Sequence, residues 1–254
     1  MDPNDFWFFP IIILSNLVVG ASIGVSGFGG FFLPVVYSTI LGMDVRDGLL
    51  LSFFAFLLSG LLGAYRYRKL GYIRTPFALR LGAGCLVGAI LGIRVNFLLP
   101  ADIVKGVLYF VVLAAGVTLL IKQREHDVVS PFLNNTVFVF ILGLITGTLC
   151  SLSGAGGALI LVPVLVALGE KTKYAVGMGI LGSVFISIPS SIGYFLGSSL
   201  PNSILLLLTS LIFHGLGVYL GSKYVQNIDQ EFLRKTIAFL SIFSSLFLFI
   251  QFFS

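Results

Sequence analysis

Two stretches decide the reading of this chain: Ser26-Gly27-Phe28-Gly29-Gly30 and Ser153-Gly154-Ala155-Gly156-Gly157. Each interrupts a long apolar run, and they stand 127 positions apart, half of a 254-residue chain. The flanks match at the same shift: Gly20 falls on Gly147, and Leu41-Gly42 on Leu168-Gly169. Further on the shift becomes 129, where Gly88-x-x-x-Gly92-x-Arg94 falls on Gly217-x-x-x-Gly221-x-Lys223 and Asp102-x-x-Lys105 on Glu231-x-x-Arg234. Single glycines match cheaply in a chain with 30 of them, but a five-residue block with collinear flanks does not. The chain therefore reads as two membrane repeats, 1–127 and 128–254, within one integral unit.

The surrounding composition fixes the solvent. The chain is 57% hydrophobic and only 10% charged, against about 25% charged in a soluble domain; its mean hydropathy is +1.08. So few charges cannot cover a globule of this size in water, which excludes soluble enzymes, nucleic-acid binders and disordered chains. Apolar runs cover about 6–24, 31–42, 48–65, 73–98 and 102–121, then 132–150, 158–168, 174–196, 203–222 and 232–253. A bilayer crossing needs about 20 such residues. The fold class is an all-α polytopic membrane protein with about five helical segments per half. The second segment of each half is too short to cross, about 18 Å at 1.5 Å per residue. The first two segments are thus either Gly-broken or re-entrant, and both options give the same parity.

Charge sets the orientation. The loop 66–74 carries Arg66, Arg68, Lys69 and Arg74, whereas its counterpart at 197–203 carries no charge. Equivalent loops on opposite sides mean inverted-topology repeats. With both termini outside, the cytoplasmic side collects those four and Lys122, Arg124, Lys171, Lys173, Lys223, Arg234 and Lys235; the outer side collects Arg46, Arg94 and Lys105. The +5 balance is then an inside-facing bias rather than the mark of an acidic partner. The acidic start, Asp2 and Asp5, lacks the basic region of a signal peptide, so the first apolar segment is expected to be retained in a multi-pass protein of the cell membrane.

Non-helical backbone at membrane depth is tolerated only where protein buries it or a watery cavity meets it. Glycine permits the turn, and the helix that follows presents free N–H groups and the positive end of its dipole. Two such breaks in matching places of two halves are a transporter pattern. The expected substrate site is Ser26, Gly27, Gly29, Gly30, Ser153, Gly154, Gly156 and Gly157, with Arg80 as a balancing cation or a residue snorkelling to the surface. His214, within a span, is the candidate for proton coupling or a neutral interhelical donor. Asn16 reads as an interhelical hydrogen-bonding group, and Cys85 and Cys150 as small packing residues. Walker A, HExxH and clustered carboxylates are absent from the sequence, so no enzyme, metal or cofactor is expected.

The paired breaks, each followed by an apolar run with Pro34 or Pro163, resemble the sulfite exporter TauE/SafE family, as do the length, the duplication and Gly63-Ala64-Tyr65. The resemblance spans almost the whole chain. It implies a transporter of sulfite, sulfoacetate or a related sulfur-containing anion, working within the lipid bilayer by alternating access around the two breaks. A small-anion channel, a membrane-bound sulfur-handling subunit using Cys150, and a homo-oligomeric assembly stay open. The proline after the break stands two positions later in the second half, so the two helix starts are not expected to be equivalent.

Overall fold

A computed structural model describes residues 6–27, 29–120, 130–197, 204–224 and single positions between 235 and 250. Most of the expected span 232–253, the linker 122–127 and most of the loop 197–203 therefore lie outside the described residues. Everything regular is helical: α1 (Phe8–Ser26), α2 (Phe32–Val35) continued by a π-helical turn (Val36–Ile40), α3 (Val45–Lys69), α4 (Thr75–Leu98), α5 (Ala101–Leu120), α6 (Thr136–Ser153), α7 (Gly157–Ala167), α8 (Thr172–Gly197) and α9 (Ile204–Tyr224). Among the described residues, seven helices are long and apolar enough to cross a membrane; α2 and α7 are too short. The chain is an all-α polytopic membrane protein.

Local chemistry sets the boundaries. Asp44 Oδ1 accepts from the Arg46 N–H at 2.9 Å to start α3, and Asn135 Oδ1 accepts from Val137 N–H at 2.9 Å to start α6; each satisfies a donor the helix leaves free. Pro76 in the first turn of α4 lacks a donor where none is needed. α1 and α6 end alike: Gly27 (φ 77°) and Gly154 (φ 74°) adopt left-handed backbone and return N–H groups to the carbonyls of Ile23 and Cys150, both at 2.8 Å. Those paired residues all stand 127 positions apart. After the breaks the halves diverge. Pro163 sits in a regular eleven-residue α7, whereas α2 holds Pro34 and widens at once into the π turn.

Packing between the halves depends on glycine. A Cβ on Gly20 or Gly24 of α1 would collide with the carbonyl of His214 or Val218 on α9; Gly217 and Gly221 press in turn on the carbonyls of Leu17 and Ala21. α4 and α6 repeat this: Gly84, Gly88 and Gly92 meet the carbonyls of Phe140, Leu144 and Thr148, while Gly143 and Gly147 meet those of Leu81 and Cys85. Both pairs run parallel. Backbones approach this closely only without side chains between them.

The two most buried spans, α3 and α8, lie between these pairs. They run antiparallel, with Gly60 meeting Val184 and Gly63 meeting Ile180. Large apolar residues such as Leu14, Ile141, Leu208 and Ile212 face outward, the surface lipid covers. Arg66, Arg74 and Lys173 gather at one end of the bundle through contacts with Ser222, Glu170 and Tyr72. Arg46 lies at the other end, donating to the carbonyls of Asn96, Phe97 and Leu99.

Gly88→Val is expected to cost about 3 kcal/mol through overpacking against Leu144, read as a lowered unfolding temperature of the detergent-solubilised protein. Gly106→Ala, with open space at its Cβ, leaves that temperature unchanged.

Candidate functional site

The breaks converge on one place. Gly27, Gly29 and Gly30 from the first, and Gly156 and Ala158 from the second, line a single cavity of about 30 Å³. α3 and α8 close it with Phe56, Ser59, Gly60, Ile180 and Ser183. Ser59 and Ser183 sit near the middles of helices of 25 and 26 residues, so the cavity lies deep in the bundle. Sequence spacing does not single out either serine, because only the antiparallel crossing of α3 and α8 carries both to the breaks.

The second break owes its shape partly to Ser183. Its Oγ accepts from the Ala158 N–H at 3.2 Å and donates to the Gly179 carbonyl at 3.1 Å. α8 thereby caps the first turn of α7. Ser59, also in the lining, donates through Oγ to the Phe56 carbonyl at 3.3 Å. The described lining contains no charged side chain, so hydroxyls and glycine backbone supply its polarity.

Not every expected residue reaches the cavity. Ser153 is buried but donates back to the Leu149 carbonyl at 2.7 Å and accepts from Ala155 N–H, shaping the turn instead. Gly154 packs on Leu49 and Pro34, and Gly157 on Ile186 and Ser183; each would crowd a Cβ. The Ser26 side chain lies outside the described residues. Arg80 stays at the surface, donating to the Pro76 carbonyl at 3.1 Å and to Thr136 Oγ1 at 3.1 Å, so it ties α4 to the start of α6. His214 is fully buried on α9 with neither ring nitrogen hydrogen-bonded among the described residues, and it is not among the cavity lining. Asn16 joins Tyr37 and Ser210 in a closed ring of hydrogen bonds at 2.7, 3.1 and 3.1 Å, which ties α1, the π turn and α9 together. Cys85 and Cys150 are buried and unbridged.

A second cavity, of about 150 Å³, shares Ile23, Gly27, Ser59 and Ile180 with the first and runs to Arg66, Tyr67 and Ser222 at the arginine-rich end. The equivalent places in the other half are filled. Tyr194, 127 positions from Tyr67, donates to the Ser151 carbonyl at 2.8 Å and stacks on Phe53 at 5.7 Å and 4°. Gly193, at the position equivalent to Arg66, packs on Ile93. The site therefore communicates with one end and is sealed by aromatic packing toward the other.

Comparison with known proteins places the chain among transporters. The model of one family, described as sulfite exporter TauE/SafE, matches residues 12–248. A probable membrane transporter protein of Bacillus subtilis, YdhB, is 24% identical over 233 residues, covering 89% of this chain and 94% of its own. Another, MJ0441 of Methanocaldococcus jannaschii, is 25% identical over 193 residues, 73% of this chain and 72% of its own. No solved structure matches.

Arg80→Gln is expected to weaken the α4–α6 tie by about 1 kcal/mol or less, the worth of an exposed hydrogen bond, and to leave solute flux in proteoliposomes unchanged. Lost flux from a folded variant would return Arg80 to the site.

Proposed function

This chain belongs to the sulfite exporter TauE/SafE family, a family of membrane transporters rather than enzymes, and we propose that it is a secondary transporter exporting small sulfur-containing anions, sulfite foremost. The observation that carries the proposal is the single cavity lined by glycines of both breaks. Its size favours the small end of the substrate class: about 30 Å³ is room for about two water-sized groups, so a compact oxyanion needs less widening of the site than a bulky organosulfonate. Glycine at the lining lets an anion approach main-chain N–H groups, and the Ser59 and Ser183 hydroxyls lie beside them.

We read the chain as inverted repeats, 1–127 and 128–254, that rock or gate around this site. The matched glycine contacts and the antiparallel crossing of equivalent helices α3 and α8 support that reading. The one-sided opening supports alternating access over a channel, since a channel conducts through a path open at both ends. The basic end is assigned to the cytoplasm by the excess of Lys and Arg there. In that orientation an inside-negative potential drives anion export, by about 2.3 kcal/mol per charge at 100 mV. Proton coupling, where it operates, is assigned to the buried imidazole of His214. The alternative of a sulfur-handling subunit working through Cys150 gains no support, because that thiol is buried away from both cavities.

Gly156 provides the cleanest test. Its φ is −62° and nothing lies within 4 Å of a Cβ built there, so Gly156→Leu fills the cavity without straining the turn. Sulfite efflux from proteoliposomes is expected to fall at least about tenfold, which corresponds to about 1.4 kcal/mol in a barrier, while folding is kept. Normal efflux sinks the site. Gly29→Leu is a weaker test, because φ 106° strains any side chain there. Saturation and counterflow in the same vesicles separate a transporter from a channel.

A further inference from the structure

We propose that Arg66 is the anion-capture residue of a vestibule that feeds the site from the basic end; the inference rests on the transporter reading and names a specificity-determining residue for it. The vestibule is the larger cavity, which joins the inner one at Gly27 and Ser59 and ends at Arg66, Tyr67 and Ser222. Arg66 is in the last turn of α3, exposed at the mouth. Its guanidinium donates through Nη1 to the Ser222 carbonyl at the end of α9, which holds the head group across the opening.

The charge on Arg66 is left available. Among the described residues no carboxylate pairs with it, whereas nearby Arg74 is bound by Glu170 at 3.1 Å through two contacts. A guanidinium carries five donors, and one carbonyl leaves most of them facing the cavity mouth and water. Its planar fork matches an oxyanion in two-point contact. The inner cavity has no charged side chain of its own, so Arg66 is the cation met on the way in. A positive group at a low-dielectric mouth raises the local concentration of anions and their rate of arrival. The counterpart position, Gly193, has no charge, so this capture acts from one face only. Supply from the basic face is favoured, as export requires.

A cysteine reporter reads the field directly. Leu62 lines the vestibule and is 44% exposed, while the native Cys85 and Cys150 are fully buried. In Leu62→Cys, an anionic methanethiosulfonate should label faster than a cationic one. That ratio should fall at least about threefold when Arg66→Gln is added, and it should also shrink between low and high salt. In proteoliposomes supplied with sulfite at the basic face, Arg66→Gln should raise KM at least about fivefold with kcat within about twofold, and Arg66→Lys should recover most of the loss. A labelling ratio and KM indifferent to Arg66 overturn the proposal. So does an Arg66→Lys variant as impaired as Arg66→Gln with kcat falling, which marks the residue as a strap between α3 and α9. Should Arg66→Gln not fold, a salt-insensitive labelling ratio in Leu62→Cys alone overturns it. If the unsubstituted protein moves no sulfite while the labelling ratio responds to Arg66, the transporter reading fails and the anion-selective vestibule stands.

Discussion

Main chain lying directly on main chain holds this molecule together. Lipid tails are as apolar as leucine, so helices gain little by turning apolar faces to one another in a bilayer. They gain by approaching closely, and glycine removes the obstacle. Gly20 and Gly24 admit α9, and Gly143 and Gly147 admit α4. The position of the cavity between the breaks follows. The two clasped pairs flank α3 and α8, and those two helices bring Ser59 and Ser183 to the broken ends of α1 and α6. Side chains in place of these hydrogens would part the helices and pull the breaks away from each other.

Equivalent positions need not do equivalent work. Tyr67 and Tyr194 occupy matching places, yet one borders an open vestibule and the other stacks on Phe53 and Phe97 to seal the opposite side. On the transporter reading proposed above, near-symmetry of this kind would let the open and sealed ends trade places. Burial marks the sealed side: Ser190 and Ser191 on α8 have hydroxyls without a hydrogen-bond partner among the described residues.

Much of this was legible in the sequence, because the breaks depend on local backbone chemistry. Gly27 and Gly154 both take left-handed backbone, where glycine is favoured, at the spacing that the sequence shows. The offset of Pro34 against Pro163 foretold unequal helix starts, and a π turn follows one break and a regular helix the other. What could not be read was tertiary register. Ser59 and Ser183 look like ordinary mid-span serines until α3 and α8 cross. Arg80 looked like a counter-charge because one helix alone does not say which face meets a cavity; it faces Thr136. Ser153 looked like a donor to substrate, but a serine in a helix can equally return its hydroxyl to the carbonyl four residues back, and it does so.

The crossed partnership of the halves also bears on how the protein is made. α1 is made well before its partner, for its glycine face is closed by α9, nearly two hundred residues later. α4 waits likewise for α6. Until then each enters lipid with a bare strip of backbone and, in α1, with Asn16 lacking the Ser210 partner of its finished ring. The α1–α9 clasp therefore closes only once Gly217 and Gly221 have been made. A chain cut short after its first half would keep unclasped helices and only one wall of the cavity between the breaks.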